Sequence, residues 1–259
     1  MRHLCTLLLI TMAGALNYVS ANDLHNDISF AFGPSFVALR SDYTIPAGIE
    51  AVMYNGAFGW NRHWNCGTLG VVADFSLETR KKICQFETET FWLWNLLKNT
   101  DSWAFGLGPS LSVHGIFCHL GDKKSLYRTI PYNQLDLQTG VRMAVMYMCR
   151  NFRFDVEGEL PLLVMGHFVR SDNPLDPQMT SADDGKQILF WIMPNSFGGV
   201  WNYLHPEINI SLAYTIAKSQ RMDTMLFLQY SAQFLSYNFN GDQTLYLNHS
   251  VSIGCRFVF

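Results

Sequence analysis

The sequence has little charge and few lysines. Charged residues make up 15% of its 259 positions, and the formal net charge is −3. Binding to nucleic acid would require a basic face, so this charge balance argues against a DNA or RNA partner. Beyond residue 21 the chain has no uninterrupted apolar run long enough to cross a bilayer as a helix, which excludes a helical membrane protein.

A Cys-x-x-Cys pair is also absent, and the spacing of the cysteines offers no zinc motif. We therefore expect neither a metal site nor a cofactor. The cysteines beyond residue 21 are odd in number, so at least one stays unpaired in an oxidising compartment. Cys84 and Cys118 could meet at one end of neighbouring strands, although strand parity places them on opposite faces. The five are Cys66, Cys84, Cys118, Cys149 and Cys255.

The first residues have the pattern of a secretory signal. A positive start, Met1-Arg2-His3, precedes an apolar stretch over 4–16 and the small residues of Val19-Ser20-Ala21. This pattern predicts a Sec-type signal peptide over 1–21, with cleavage after Ala21. The apolar stretch is shorter than the roughly 20 residues of a membrane helix. The mature chain, 22–259, is then a single domain.

Period-two alternation recurs all along the mature chain. In 102–117, bulky residues such as Trp103 and Phe105 alternate with small or polar ones such as Ser110, Ser112 and His114. In 151–163, an apolar face opposes a face that carries four charges. Alternate side chains of a strand point to opposite faces, so each segment predicts a strand with one apolar face.

The pattern predicts ten strands in an antiparallel arrangement. An even number places both ends of the chain on the same side. Connections on that side are short, whereas the other side includes 118–132 and 166–203, as in bacterial outer-membrane barrels. The predicted strands are 27–39, 47–58, 66–77, 84–96, 102–117, 133–148, 151–165, 204–216, 222–236 and 244–259.

Two features favour lipid, rather than a soluble core, as the environment of the apolar face. All lysines lie in predicted loops or turns, as expected where a charge facing lipid at mid-bilayer costs about 2–4 kcal/mol. Aromatic residues collect near strand ends, at Trp60 and Trp64, Trp92 and Trp94, and Trp103 and Tyr147. Such positions suit the interfacial girdles of a membrane barrel. A soluble secreted barrel is the competing architecture. The lysines are Lys81, Lys82, Lys98, Lys123, Lys124, Lys186 and Lys218.

The last strand carries apolar residues at every second position and ends on an aromatic residue. These residues are Val251, Ile253, Cys255, Phe257 and Phe259. The run resembles the assembly signal of bacterial outer-membrane β-barrels, and the whole pattern is similar to uncharacterised Bacteroidetes-type barrels. The resemblance implies an all-β transmembrane barrel of about ten strands in the outer membrane of a diderm bacterium. It also implies outer-membrane lipid and the barrel assembly machinery as partners.

Strand parity places a set of charged residues in the lumen, where acids outnumber arginines. One interpretation is a structural network in which arginines bridge carboxylates across strands. The other is a cation-binding or weakly cation-selective lumen. The residues are Asp74, Glu87, Glu89, Asp136, Arg142, Arg153, Asp155, Glu157, Glu159, Glu207 and Arg256.

Ser112 and His114 are the candidates for catalysis. They share one strand face, and Glu157 or Glu159 could approach from a nearby strand, which would supply a nucleophile, a base and an orienting acid. In the outer-membrane lipases that such a site would resemble, a His-x-Ser pair faces lipid. The pair in this sequence runs Ser-x-His and, by strand parity, faces inward. That departure argues against lipid chemistry.

The segment 166–203 is long for a loop and contains the apolar run 188–194. We expect it to pack on the barrel mouth, to enter the lumen as a plug, or to form a hairpin that raises the strand count to twelve. For function, we expect a non-enzymatic barrel with a structural or surface-binding role, or a small gated passage, whose small-molecule or ion ligand stays open. The alternatives are a narrow cation-preferring channel and an outer-membrane hydrolase of lipid or peptide.

Overall fold

The computed structural model describes most of the chain beyond residue 24. The described ranges are 25–41, 45–64, 66–78, 83–96, 102–118, 132–168, 196–239 and 242–259. Every regular element in these ranges is a β-strand, and these residues include no helix that could cross a membrane. The predicted signal peptide, 1–21, lies outside the described residues and stays a prediction.

Ten of the strands are long, with 12 to 20 residues each, and two are short. A tilted membrane-spanning strand needs about 9–11 residues, so each long strand is sufficient. The strands are β1 (His25–Ser41), β2 (Ile45–Trp64), β3 (Gly67–Glu78), β4 (Ile83–Asn95), β5 (Trp103–Cys118), β6 (Tyr132–Cys149), β7 (Phe152–Phe168), β8 (Ser196–Gly199), β9 (Tyr203–Leu204), β10 (Glu207–Lys218), β11 (Asp223–Phe239) and β12 (Asp242–Val258).

The long strands form one closed antiparallel barrel. Each pairs with its neighbours along the chain, β7 pairs with β10, and β1 pairs with β12 to join the first strand to the last. Closure matters because an open sheet edge would leave unpaired backbone groups that lipid cannot satisfy. The predicted ten-stranded all-β barrel is confirmed.

Counted from β1, the eighth position in the barrel is that of β10, and the short strands β8 and β9 extend this position. β8 continues along β7 past the start of β10, with Phe197 opposite Met165, and β9 continues along β11, with Tyr203 opposite Tyr237. The chain steps from one to the other over 200–202 and then enters β10. The barrel therefore has ten positions, and the described residues do not form the hairpin that would give twelve. The apolar run 188–194 lies outside the described residues.

The ten long strands lie within a few residues of their predicted bounds, with β2 as the main difference. The sequence pattern predicts a turn over 59–65, but β2 continues to Trp64 because its polar residues still pair with β1 and β3, as His63 does with His25 and Thr68. Lys218 is the last residue of β10, whereas a turn is predicted there. The other six lysines lie outside the described residues.

The start of β1 and the end of β12 meet at one end of the barrel, where the backbones of Asn26 and Phe259 exchange hydrogen bonds of 2.7 and 2.8 Å. We call this the terminus end, and it carries the short connections 65–66, 96–102, 150–151 and 219–222. The opposite, loop end carries 42–44, 79–82, 119–131, 169–195 and 240–241. Arg150 adopts a left-handed φ of 55°, which allows the two-residue turn from β6 to β7.

Apolar side chains cover the outside of the barrel. Phe32 is 65% exposed, Ile253 68% and Leu228 52%, and similar residues follow every long strand. Soluble monomers rarely expose contiguous apolar patches of more than a few hundred Å². Aromatic pairs lie near the terminus end, where the ring centroids of Trp103 and Tyr147 are 4.5 Å apart. This exterior suits lipid.

Inside the barrel, apolar residues gather near the loop end. They form one buried cluster, the loop-end plug, to which strands on all sides contribute. Apolar side chains from eight strands therefore pack together inside the barrel at that level. Its buried members are Val37, Leu39, Met53, Ile83, Ile116, Val164, Tyr203, Leu235, Tyr237 and Tyr246.

Candidate functional site

The charged residues that parity assigns to the lumen lie on the inner face of their strands. Seven are buried, namely Glu87, Glu89, Asp136, Arg142, Asp155, Glu159 and Arg256. The other four are partly buried, namely Asp74, Arg153, Glu157 and Glu207. Their outward neighbours, such as Phe152 and Phe154, are exposed. The strand pleat thus separates a polar interior from an apolar exterior.

One group of these residues forms a charge-balanced cluster near the terminus end. Arg256 Nη1 donates to Asp155 Oδ2 at 2.8 Å, and Arg153 Nε donates to Asp155 Oδ1 at 2.8 Å. Asp27 lies beside them, with Oδ2 at 3.8 Å from Arg153 Nη1 and 3.0 Å from His63 Nε2. We call these residues the terminus-end ion cluster. Each carboxylate in it has a cationic or imidazole partner.

Arg142 lies higher in the lumen and bridges two acids. Its guanidinium contacts Glu89 and Glu157, and it lies over the Phe91 ring at 4.2 Å from the centroid. An arginine that contacts two carboxylates and stacks on an aromatic ring is fixed in orientation. Arg142 therefore fits the structural network of the sequence interpretation, in which arginines bridge carboxylates across strands.

The candidate catalytic pair is not assembled as a nucleophile and base. Ser112 Oγ donates to Glu159 Oε1 at 3.4 Å, and Ser110 Oγ donates to the same oxygen at 2.9 Å. His114 faces Asp136 instead, with Nδ1 at 3.5 Å from Oδ2. Ser112 and His114 are each 0% exposed. The serine hydroxyl thus donates to a carboxylate, and among the described residues it is buried from solvent.

Three residues from different parts of the chain converge beneath the plug. Glu87 in β4 pairs with His114 in β5 across neighbouring strands, and His205 enters from the short segment between β9 and β10. One potential ligand atom from each of the three lies within 4.8 Å of the other two. We call them the histidine–glutamate cluster.

Two further acids extend this cluster. Glu159 and Glu207 stand opposite each other on β7 and β10, and their carboxylate oxygens lie within 4.8 Å of Glu87 and of each other. The hydrogen bonds found for these three carboxylates come from amides and hydroxyls, such as that from Gln233 Nε2 to Glu87 Oε2 at 2.8 Å. The negative charge at this level is thus concentrated at one place.

The imidazole nitrogens of the cluster are incompletely satisfied. Within the described part of the chain, Nδ1 and Nε2 of His114 and Nε2 of His205 are buried with no hydrogen-bond partner. His205 Nδ1 contacts the side-chain amide of Gln138 at 3.1 and 3.2 Å. A buried polar group without a partner costs about 1–3 kcal/mol, so these nitrogens mark a place suited to a ligand.

A network of amides and phenols lies directly under the plug. Gln85 Nε2 donates to Gln233 Oε1 at 2.9 Å, and Tyr246 donates its hydroxyl proton to Gln85 Oε1. Gln138 contacts both Tyr203 and Asp136. The contact between Gln85 and Gln233 joins opposite walls of the barrel, since β4 and β11 are five strands apart in the strand order. These contacts hold the histidine–glutamate cluster between fixed walls.

Separate cavities lie in the polar part of the lumen and at the terminus end. One of about 20 Å³ adjoins Asp74, Glu87 and Glu207, and another of about 60 Å³ adjoins Arg142 and Asp155. The mouth at the terminus end has a cavity of about 430 Å³. A volume of roughly 10–15 Å³ holds one water molecule, so the smallest cavity has room for one small solvent molecule or ion.

Sequence reasoning left several site residues out. His205 lies two residues before Glu207 in the predicted strand 204–216, on the same inward face, so strand parity could have identified it. Strand parity also places Asp27 and the lumen amides on the inward face, but an uncharged glutamine at an inward position does not by itself indicate a functional site. The omitted residues are Asp27, Gln85, Gln138, Tyr203, His205, Gln233 and Tyr246.

The cysteines contribute no bridge among the described residues. Cys66, Cys84, Cys149 and Cys255 are free thiols. In the barrel register Cys84 stands opposite Phe117, and Cys118 stands opposite Ile83. The considered pairing of Cys84 with Cys118 is therefore not formed, as the opposite parities indicated. The side chain of Cys118 lies outside what the structure describes.

Comparison with known proteins supports the fold. No protein-family model matches the chain, and no curated protein matches it significantly. The outer-membrane protease OmpT of Escherichia coli matches in structure with a TM-score of 0.51 and 11% identity, over 94% of this chain and 99% of that chain. The NalP translocator domain of Neisseria meningitidis matches with a TM-score of 0.41 and 9% identity, over 99% and 95%. The class-level resemblance to outer-membrane β-barrels is confirmed, and it concerns the fold alone.

Proposed function

We propose that the protein is exported by a Sec signal at 1–21 and resides as an integral barrel in the outer membrane of a diderm bacterium. There it has a non-enzymatic, structural or surface-binding role with a closed lumen. The fold and the exposed apolar belt, with Phe32 and Ile253 among its members, support the membrane location. Outer-membrane lipid is then the partner of that belt.

The observation that carries the closed lumen is the loop-end plug. Its buried apolar residues come from β1, β2, β4, β5, β7, β9, β11 and β12 and pack together at one level. A conducting pore needs a continuous polar path, and a hydrophobic constriction opposes the passage of ions. The cation-preferring channel is therefore the less favoured alternative, despite the acids below the plug.

The same geometry makes hydrolysis the weakest of the three functions. Ser112 donates to a carboxylate, and no hydroxyl of a described residue forms a hydrogen bond with His114. A base must lie within hydrogen-bond reach of its nucleophile to act. We therefore place no catalytic step in this lumen.

Planar-bilayer conductance of the purified mature protein tests the closed lumen. The wild type should give no conductance steps, because the plug excludes water and ions. A Leu235→Gly variant removes plug volume and should introduce small steps, whereas Leu228→Gly on the outer face should not. Cation-selective steps in the wild type would favour the channel instead.

Assembly through the last strand is the further element of this proposal. Val251 and Ile253 face outward, with Ile253 68% exposed, and Phe259 ends at the terminus end. We propose that the barrel assembly machinery reads the apolar face that these residues form with Cys255 and Phe257. Deleting Phe259 should lower the heat-modifiable folded fraction in outer membranes, and full assembly of that variant would contradict this role.

A further inference from the structure

We propose that the histidine–glutamate cluster, Glu87, His114 and His205, binds one divalent transition-metal ion of the zinc class inside the barrel. The three side chains come from β4, β5 and the segment before β10, and their ligand atoms lie within 4.8 Å of one another. Convergence of two imidazoles and a carboxylate from distant parts of the chain gives the donor set of a His₂Glu site.

The unpartnered nitrogens are the independent observation that points to a ligand. His114 is 0% exposed and His205 is 2% exposed, and the Nε2 atom of each ring has no hydrogen-bond partner among the described residues. Buried polar atoms are nearly always satisfied in folded proteins. A metal ion bound between the rings would satisfy one nitrogen on each.

The surroundings of both rings suit metal ligation. His114 Nδ1 lies 3.5 Å from Asp136 Oδ2, and His205 Nδ1 lies 3.2 Å from Gln138 Oε1. Metal-binding histidines typically direct the nitrogen that does not bind the metal at a carboxylate or carbonyl oxygen, which fixes the ring orientation. Asp136 and Gln138 are placed to do this, and the Nε2 atom of each ring, which has no hydrogen-bond partner among the described residues, would then bind the metal.

The distances require only a small adjustment. With metal–ligand bonds of about 2.0–2.2 Å, the donors of a tetrahedral site are roughly 3.4 Å apart. The widest separation allowed by the present arrangement must therefore close by at most about 1.4 Å. Side-chain torsions of the glutamate can supply most of this movement.

Local charge favours a cation, and the donor types select its class. Glu87 also belongs to the acid group with Glu159 and Glu207, so a divalent ion would neutralise charge that the neighbouring amides leave in place. Imidazole donors suit zinc and related transition metals, whereas magnesium and calcium prefer oxygen donors throughout. We therefore infer a zinc-like ion rather than an alkaline-earth ion.

The position of the site indicates a structural role. The loop-end plug borders the site through Tyr203 and Tyr246, whose ring centroids lie 6.2 Å from His205 and 6.4 Å from His114, and a cavity of about 20 Å³ adjoins Glu87 and Glu207. A metal held there would tie β4, β5 and the eighth barrel position together. Binding should therefore raise the stability of the folded barrel.

The test uses the full mature chain, refolded in detergent in the presence of a chelator, freed of it and titrated with Zn²⁺. We expect about one zinc ion per folded barrel by elemental analysis, a higher melting temperature with zinc, and a tetrahedral visible spectrum when Co²⁺ is used instead. Mg²⁺ and Ca²⁺ should cause none of these changes. Equal responses to Mg²⁺ and Zn²⁺ would overturn the assignment of metal class.

Variants locate the ion. His205→Gln should bind zinc at least tenfold more weakly, whereas His249→Asn should bind like the wild type, because His249 bonds Tyr230 on the outer face. If His205→Gln does not fold in a heat-modifiability assay, the near-isosteric Glu87→Gln takes its place. Wild-type binding in these variants would overturn the site. The metal site would also be overturned if zinc, added to the wild-type protein during or after refolding, changed neither its melting temperature nor its metal content.

Discussion

Two charged regions of the lumen solve the problem of buried carboxylates in different ways. In the terminus-end ion cluster, Asp155 accepts hydrogen bonds from Arg153 and Arg256. In the histidine–glutamate cluster and its neighbours, Glu87, Glu159 and Glu207 lie within 4.8 Å of one another and receive hydrogen bonds from neutral groups. Buried charges are stable only when paired, protonated or bound to a metal. The first region is complete with protein groups alone, whereas the second gains from a cation.

The largest expected effect comes from breaking the balanced region. Arg256→Ala leaves Asp155 and Asp27 with fewer counter-charges, and removal of one partner from a buried pair costs about 3–5 kcal/mol. Denaturant unfolding in detergent, followed by tryptophan fluorescence, measures this loss. Arg221→Ala, in the exposed turn after β10, is the matched control and should be near neutral. A loss of under about 1 kcal/mol for Arg256→Ala would contradict the role of this ion pair.

The second effect concerns the support of the proposed metal site. Asp136→Asn keeps the size of the side chain but weakens its hold on His114 Nδ1, which lies 3.5 Å away. Loss of such an outer partner typically lowers metal affinity 10- to 100-fold, so we expect zinc binding to weaken by about that factor. Calorimetric titration with Zn²⁺ measures the change. Asp74→Asn, outside the set of proposed ligands, serves for comparison, and equal weakening in both variants would argue for a general charge effect.

Replacement of one carboxylate by an amide should have a smaller effect on the free energy of unfolding, and the sign of this effect should differ between the two regions. Glu207→Gln removes one negative charge from the acid group. The new side-chain carbonyl oxygen can still accept the hydrogen bond that Gln233 Nε2 donates to Glu207. Without metal, this variant should be as stable as the wild type or more stable by up to about 1 kcal/mol. Asp155→Asn makes the same chemical change beside two arginines and should destabilise. Unfolding curves recorded without metal decide this, and a destabilised Glu207→Gln would mean that the acid group is already balanced.

The smallest effect is expected at Ser112, which contacts Glu159 of the acid group. Ser112→Ala removes a weak hydrogen bond of 3.4 Å to Glu159, which still accepts from Ser110. Stability should change by less than about 1 kcal/mol, and any lipid or peptide hydrolysis by the purified protein should be unchanged. Fluorogenic ester and peptide substrates provide the measurement. Loss of a measurable activity in this variant alone would restore the hydrolase hypothesis.

Parity from the sequence was sufficient to separate the inside of the barrel from the outside. In β7, Phe152 and Phe154 face out while Arg153 and Asp155 face in. The side-chain period of a strand is two, so one correct assignment fixes the rest until a bulge intervenes. Such a bulge occurs near Pro161, where Thr139 pairs with Leu163 and Gly140 with Pro161, and the inward side then passes to Val164. The sequence pattern did not indicate that shift.

The level of each residue along the barrel could not be obtained in the same way. The loop-end plug contains Val37, Met53, Ile83 and Leu235, each an inward residue of a separate strand. Whether such residues meet at one height depends on the stagger between strands, which the turns and the barrel closure set together. An apolar residue in the lumen, considered strand by strand, therefore does not reveal a plug.

By itself, the sequence determined the strand number, the apolar exterior and the polar lining, because these depend on a period of two within each strand. Only the tertiary structure decided which lining residues meet, since closure brings Gln85 to Gln233 and His114 to His205 across long stretches of chain. The spacing of the cysteines offers no zinc motif, so the sequence predicted no metal site. The donors of the proposed site come from three separate positions in the barrel, which spacing along the chain cannot reveal. Local pattern fixes which way a side chain points, and barrel closure fixes what it meets.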